Sequence, residues 1–329
     1  MILYMCWLEK NINMFNKLYM INFGNINNIT NITNITNVES LCKLYSGKKV
    51  YVYILGGNRG DGVIYYGGRT LFNKYDIDYK EVDNLSVINS PENEVLFVYG
   101  SGGYCTFFNS GVDLLYGYIN KFKQAYILPS SFDCTFQKVS NFITGLTDNV
   151  VVFCRELTSY NQVSMIIKNK QCVKLDNDLA FYGNYNKYIK YIDKSNPPIV
   201  LIALRKDRES LKEWNIKNLS NDISDGPYDD YEYFINEINK YDKVITDRAH
   251  VSIIACLLGK EVYILPDGYH KVKSIYEFSL KGRYNVSFYL DNNEGFIFYD
   301  GNIYTNKTDS TIVVNYNDII NCSNLINIC

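Results

Sequence analysis

Histidine is nearly absent from this 329-residue chain, which carries only His250 and His270. A proton donor that titrates near neutrality therefore has two places to reside. Basic excess is missing too: 33 Lys and Arg face 35 Asp and Glu, a formal charge of −2. No nucleic-acid footprint is expected from that balance, and the clusters at residues 48–49, 205–208 and 271–273 suit a small anion at most. No apolar run approaches the roughly 18 residues that span a bilayer, so no transmembrane segment is expected. The apolar opening Met1 to Leu8 has neither a basic region before it nor a small-residue cleavage site after it. The nine cysteines form no CxxC pair, which argues against a zinc site or a disulfide framework and for reduced thiols in a cytoplasmic protein. No metal is expected. The three sequons in residues 28–36 matter only in a secreted chain and fit the general abundance of Asn and Ile.

What is present alternates β-like runs with helical stretches, the pattern of βα units and parallel sheets. Residues 1–45 are Asn-rich, weakly periodic and read as an extension outside the core. Strands are predicted at residues 50–55, 77–82, 95–99, 125–128, 150–153 and 172–175, giving an α/β domain over 46–183. The polar, tyrosine-rich stretch 182–198, closed by two prolines, reads as a crossover. A second α/β domain then spans 184–285, with strands at 199–203, 243–245 and 261–265 and helices near 229–240 and 249–258. Beyond Asn285, short aromatic runs between Asn, Asp and Gly turns predict a β-rich tail over 286–329.

The most informative stretch is VITDRAHVSIIACLLGKEVYILPD, residues 244–267. It reads as strand, helix, strand, with Thr246 or Asp247 as helix cap and Gly259 as stop. Arg248 and His250 then fall in the first helical turn, at the end of a parallel sheet where α/β folds bind ligands. A helix this apolar is buried, and a buried helix start seldom holds an idle cation. Taken singly, Asp247 suits a cap. His270 lies in a Pro/Gly loop beside Lys271, at the same end of the sheet, in an accessory place.

Two glycine-rich turns follow two strands of the first set. GGNRGDG, residues 56–62, precedes a helix predicted over 63–75 and offers Asn58, Arg59 and Asp61, the last also suited to capping that helix. Its spacing is neither that of a dinucleotide fingerprint nor of a P-loop. GSGGYCTFFNSG, residues 100–111, brings Gly102 and Gly103 to the same rim, and Ser130 and Ser131 follow the next strand. Either turn alone is as well explained by tight geometry; together they line one crevice. Arg155, Arg205 and Arg248 all follow strand ends, and three such arginines make an anion clamp credible.

In this order, GGNRGD, GSGG, LPSS, CREL with Ser159, DNDLAF, LRKDRE, TDRAH and YHKVKSIYEFSL resemble the polysaccharide pyruvyl transferase family across about residues 50–280. The resemblance implies two Rossmann-like domains similar to the glycosyltransferase type B architecture, the first on the acceptor side and the second on the donor side. It also implies transfer of a pyruvyl group from phosphoenolpyruvate to a sugar in a glycan or glycolipid, typically as a ketal across two hydroxyls, with no cofactor. On that resemblance, Arg155 and Arg248 would hold the donor's phosphate and carboxylate and His250 would be the general acid, while the GNRGD loop would face the acceptor. Ala249 and Val251 depart from the Leu and Gly often found there, which bears on the acceptor. Two other classes stay open: a nucleotide-sugar glycosyltransferase using Arg205, Asp207 and Glu209, and a non-catalytic glycan binder using tyrosine surfaces. Self-association is compatible with the sequence and not required by it.

Overall fold

Runs of Val, Ile, Leu and Phe bounded by polar turns become the inner strands of two parallel sheets, where burial on both faces calls for continuous apolar sequence. The computed structural model describes residues 36–108, 110–189, 199–210 and 222–288, together with four short strands beyond. Residues 1–35, with the sequons, and 190–198 of the expected crossover lie outside the described residues.

The first sheet contains β1 (Lys49–Tyr53), β2 (Asp78–Val82), β3 (Val95–Val98), β4 (Gln124–Ser130), β5 (Val150–Cys154) and β6 (Val173–Leu175) in the order β2-β1-β3-β4-β5-β6. Every neighbouring pair is parallel. The order reverses between β1 and β3, so the loops leaving their carboxyl ends diverge and open a crevice there. Those are the two glycine-rich turns. The second sheet contains β7 (Val200–Ala203), β8 (Lys243–Thr246), β9 (Glu261–Ile264) and β10 (Val286–Phe288) in the order β10-β9-β8-β7, again all parallel. The mixed α/β architecture is thus Rossmann-like.

Several expectations shift in detail. Strand β4 continues past Leu128 to Ser130 because an irregularity in its register against β5 accommodates Pro129, which cannot donate to a regular ladder. The glycine-rich run after β1 is shorter as a loop than its composition implies. The helix begins at Arg59 and runs to Lys74, since Gly60, Gly62, Gly67 and Gly68 are packing positions rather than turn residues. A Cβ on Gly62 would stand 1.9 Å from the Tyr228 carbonyl oxygen, and one on Gly67 would stand 1.8 Å from that of Leu179. This helix is where elements of the two sheets meet, with the Tyr66 and Tyr231 rings stacked at 5.0 Å.

The extension is not wholly outside the core. A helix over Asn37–Leu44 buries Val38, Leu41 and Cys42 in the cluster that also holds Val50, Phe72 and Phe97. Its start is held by the Asp176 carboxylate, which accepts from the Val38 N–H at 2.7 Å. Two residues of the expected crossover, Tyr185 and Tyr188, are buried with the second sheet's core. At the other end, β10 lies past Asn285 yet pairs with β9. Beyond it β11 (Phe296–Tyr299), β12 (Asn302–Thr305), β13 (Ile312–Val313) and β14 (Ile326–Asn327) form a small antiparallel sheet. Among the described residues no helix is long and apolar enough to cross a membrane.

Candidate active site

A cavity of about 210 Å³ is lined from six loops, each leaving the carboxyl end of a strand. Asn58, Gly60 and Asp61 come from the loop after β1, Gly102 and Gly103 from that after β3, and Arg155 follows β5. From the second sheet come Arg205, Asp207 and Glu209 after β7, Arg248 and His250 after β8, and Lys271 after β9. Asn58 and Lys271, 213 positions apart in sequence, meet here only because both sheets direct the same ends inward. Four cations and one histidine border a space large enough for a small organic anion.

The deepest group is a triad of two buried side chains, Arg155 and Asp178, and the half-buried His250. Arg155, 1% exposed, donates from Nη1 to Asp178 Oδ2 at 2.7 Å and from Nε to Ser131 Oγ at 2.8 Å. His250 Nε2 stands 3.5 Å from the same carboxylate oxygen and 3.4 Å from Arg155 Nη1. Burial works to raise the Asp178 carboxyl, but Arg155 and His250, joined by the Ala180 N–H, hold it well below the usual carboxylate range. Asp178 therefore remains an anion that orients both neighbours. The other histidine nitrogen, Nδ1, is 3.0 Å from where a Cβ on Gly60 would stand, so the glycine leaves that nitrogen uncovered. Arg155 Nη2 points to Gly102, 3.0 Å from its would-be Cβ.

The second charge group is more crowded. Arg248 Nη2 is shared by Asp222 at 2.6 Å and Asp207 at 3.1 Å. Burial works against the Arg248 cation, yet the two carboxylates hold its pKa above the ordinary value. Arg205 is ion-paired with Asp207 at 2.9 Å and with Glu209, and Glu209 also takes Lys271 Nζ at 2.5 Å. Asp267 stands behind them, 3.6 Å from Arg205 and 3.9 Å from Lys271. Burial pulls the Lys271 ammonium down and pushes the Asp267 carboxyl up.

Other expected site residues act at one remove. Asn58 and Asp61 close a capping box on the helix Arg59–Lys74: Asn58 Oδ1 accepts from the Gly60 N–H at 2.8 Å, and Asp61 Oδ2 accepts from the Asn58 N–H at 3.0 Å. Both still border the cavity. Arg59 does not; it binds Asp230 at 2.8 Å and lies over the Tyr233 ring at 4.4 Å. Ser131 fixes Arg155, and Ser130 Oγ accepts from the Ser101 N–H at 3.1 Å, which shapes the glycine loop.

Asp247 is not the helix cap. The helix Ala249–Leu257 has Arg248 at its N-cap with no side-chain cap. Asp247 instead accepts the Arg205 N–H at 2.8 Å, tying the loop after β7 to that after β8. Burial pushes its carboxyl up to about 6. His270 lies off the cavity, with Nε2 3.4 Å from Glu156 and 3.3 Å from Ser159 Oγ. Burial works to raise the Glu156 carboxyl, but His270 and Ser159 hold it below the ordinary value. Asp178 was not among the expected site residues, although DNDLAF contains it at a strand's carboxyl end. Its role needed the contact with Arg155 and His250.

Fold and site together define an α/β protein in which two parallel sheets present cations and one half-buried, oriented histidine to a common cavity. That arrangement can hold a small anion beside a group able to transfer a proton. The profile of one family, polysaccharide pyruvyl transferase, matches residues 58–268, and the chain belongs to that family. The matched span holds Asn58, Arg155, Asp178, Arg248 and His250 and ends just before His270 and Lys271. Among solved structures, the chain is similar to a functionally uncharacterized protein of Klebsiella pneumoniae subsp. pneumoniae NTUH-K2044, at 30% identity and a TM-score of 0.65, over 78% of this chain and 99% of that one. No match is found among curated proteins.

Proposed function

We propose that the protein transfers a pyruvyl group from phosphoenolpyruvate to hydroxyls of a sugar in a glycan or glycolipid, forming a pyruvate ketal. The observation that carries this is the Arg155–Asp178–His250 group at the cavity wall. Phosphoenolpyruvate becomes electrophilic at C2 once its methylene carbon takes a proton, which requires a proton donor beside a bound anion. With Asp178 accepting from Nε2–H, the nitrogen left for that transfer is Nδ1, on the Gly60 side.

A first sugar hydroxyl then adds to C2 and loses its proton, and a second displaces phosphate. Of the two hydroxyl protons released, one balances that gained by the methyl group and the other leaves with phosphate. Arg155, with cations from the second sheet, stabilises the departing phosphate, so the donor is gripped from both halves and the acceptor enters beside the loop after β1. No step in this scheme calls on a metal.

The test is incubation with phosphoenolpyruvate and a panel of galactosides, mannosides and amino sugars. Acceptor-dependent phosphate release with a matching ketal product by mass spectrometry is the expected result. Transfer of a sugar from a nucleotide donor, with no phosphate released from phosphoenolpyruvate, would replace this function with glycosyl transfer.

A further inference from the structure

Two residues that do not border the cavity sit directly beside two that do. Arg155 is followed by Glu156, and Lys271 is preceded by His270. Arg155 belongs to the first sheet's loops and Lys271 to the second's, so nothing in the local sequence sets the distance between the two cations. Both nevertheless converge on one point: a Cβ on Gly102 would stand 3.0 Å from Arg155 Nη2 and 3.5 Å from Lys271 Nζ. Gly102 has no side chain to occupy that point, and its φ is not in the left-handed region. The glycine is therefore explained by space rather than by backbone conformation.

The contact that spans the gap is Glu156 with His270. Glu156 is wholly buried and is fixed on its own side by the Ser159 N–H at 2.9 Å and by the Ser159 hydroxyl. His270, 19% exposed, brings Nε2 to 3.4 Å from Glu156 Oε1. A parallel link runs two residues beyond Glu156 and four beyond His270, where Thr158 Oγ1 and Ser274 Oγ are 2.9 Å apart. A third holds the glycine loop, as Tyr269 donates its hydroxyl proton to the Gly102 carbonyl at 3.2 Å. The segments carrying Arg155, Lys271 and Gly102 are thus braced against one another around the point where the cations meet.

We propose that Glu156 and His270 are positioning residues that hold Arg155 and Lys271 at the spacing of a single phosphoryl group, seated over Gly102. The seat rests on the pyruvyl-transfer function for its natural ligand, but it is a site for a phosphate monoester or inorganic phosphate whatever the acceptor. Lys271, rather than Arg248, then completes the clamp with Arg155, because its Nζ, although paired with Glu209, stands beside the Gly102 point together with Arg155 Nη2. A displacement of about an ångström between such groups is enough to cost a large part of their joint effect.

The test measures affinity for inorganic phosphate by calorimetry and KM and kcat for phosphoenolpyruvate. Removing the strut with His270→Ala should weaken phosphate binding and raise that KM by about 10-fold, with a smaller change in kcat. His270→Gln, whose amide N–H can still reach Glu156, should restore both to within about threefold. Glu156→Gln, which keeps the Ser159 contacts, gives the same reading should His270→Ala fail to fold. Wild-type phosphate affinity in folded His270→Ala or Glu156→Gln overturns the proposal, as does His270→Gln as weak as His270→Ala, which would mean that the ring itself matters. Arg155→Lys and Lys271→Met test the seat separately. Unchanged phosphate affinity in both removes the seat, while acceptor-dependent turnover of phosphoenolpyruvate would still stand or fall independently.

Discussion

The two charge groups in the cavity are built from the same residue types and differ in how many carboxylates surround their cations. Around Arg155, one carboxylate serves an arginine and a histidine, leaving Arg155 Nη2 and His250 Nδ1 facing glycines. Around Arg248 and Arg205, Asp207, Glu209, Asp222 and Asp267 supply more carboxylates than the arginines need. A buried cation closed by carboxylates is a structural element whose removal leaves an uncompensated charge. One with an open donor beside empty space is a binding group. What separates the two is their partners.

The sharpest way to break this comparison is to remove the histidine of the open group. His250→Gln should cost about 10² to 10⁴ in rate, the usual worth of a general acid, with little change in melting temperature, because the ring is 13% exposed and its amide replacement can still reach Asp178. His270→Gln should cost far less. Full phosphate release by the His250 variant would show that the open group is not the reacting one.

Next in size is filling the space between Arg155 and Lys271. Gly102→Ala places a methyl group against Arg155 Nη2 and Lys271 without demanding an unusual backbone, so the fold should persist while KM for phosphoenolpyruvate rises by about 10-fold or more. An unchanged KM would mean that the donor binds elsewhere in the cavity. A smaller contrast should separate the arginines. Arg155→Lys loses the fork that binds Ser131 and Asp178 together and should weaken the donor by about 10-fold, whereas Arg248→Lys should alter donor affinity by less and stability by more. Equal kinetic losses in the two variants would erase the distinction between open and closed groups.

How much of this was legible depended on range. Strands such as Val95–Val98 and Val150–Cys154 announce themselves because continuous apolar runs between turns have few alternatives in a parallel sheet. The TDRAH stretch pointed to the cavity that Arg248 and His250 border, because a buried helix start with an arginine and a histidine is costly without a purpose. Gly60 and Gly62 misled, since glycine marks both turns and close packing, and only the Tyr228 carbonyl opposite decides between them. The helix Asn37–Leu44 was hidden by Asn-rich surroundings that mask three well-spaced apolar residues. Asp178 and Glu156 were visible as letters but not as partners, because their meaning lies in residues 72 and 114 positions away, His250 and His270.

The smallest expected effect tests the closed group through its pH dependence. Asp247 ties β7 to β8 by accepting the Arg205 N–H, and burial pushes its carboxyl up from 3.8 to about 6. A carboxyl with a raised folded-state pKa favours the fold while it is protonated, and that contribution is lost as pH rises from about 4 through about 6. Asp178 and Glu156, held below their ordinary values, act in the opposite sense and at lower pH, where stability is lost as they become protonated. Asp247→Asn keeps the oxygen that accepts from Arg205 but cannot ionise. Relative to the parent protein, it should therefore gain stability as pH is raised from 4.5 to 7, by something on the order of 2 kcal/mol. Urea denaturation of both proteins across that range measures the difference directly. A difference that stays flat would show that the Asp247 carboxylate sits comfortably among Arg205 and Arg248, and that the closed group has cation charge to spare for a ligand after all.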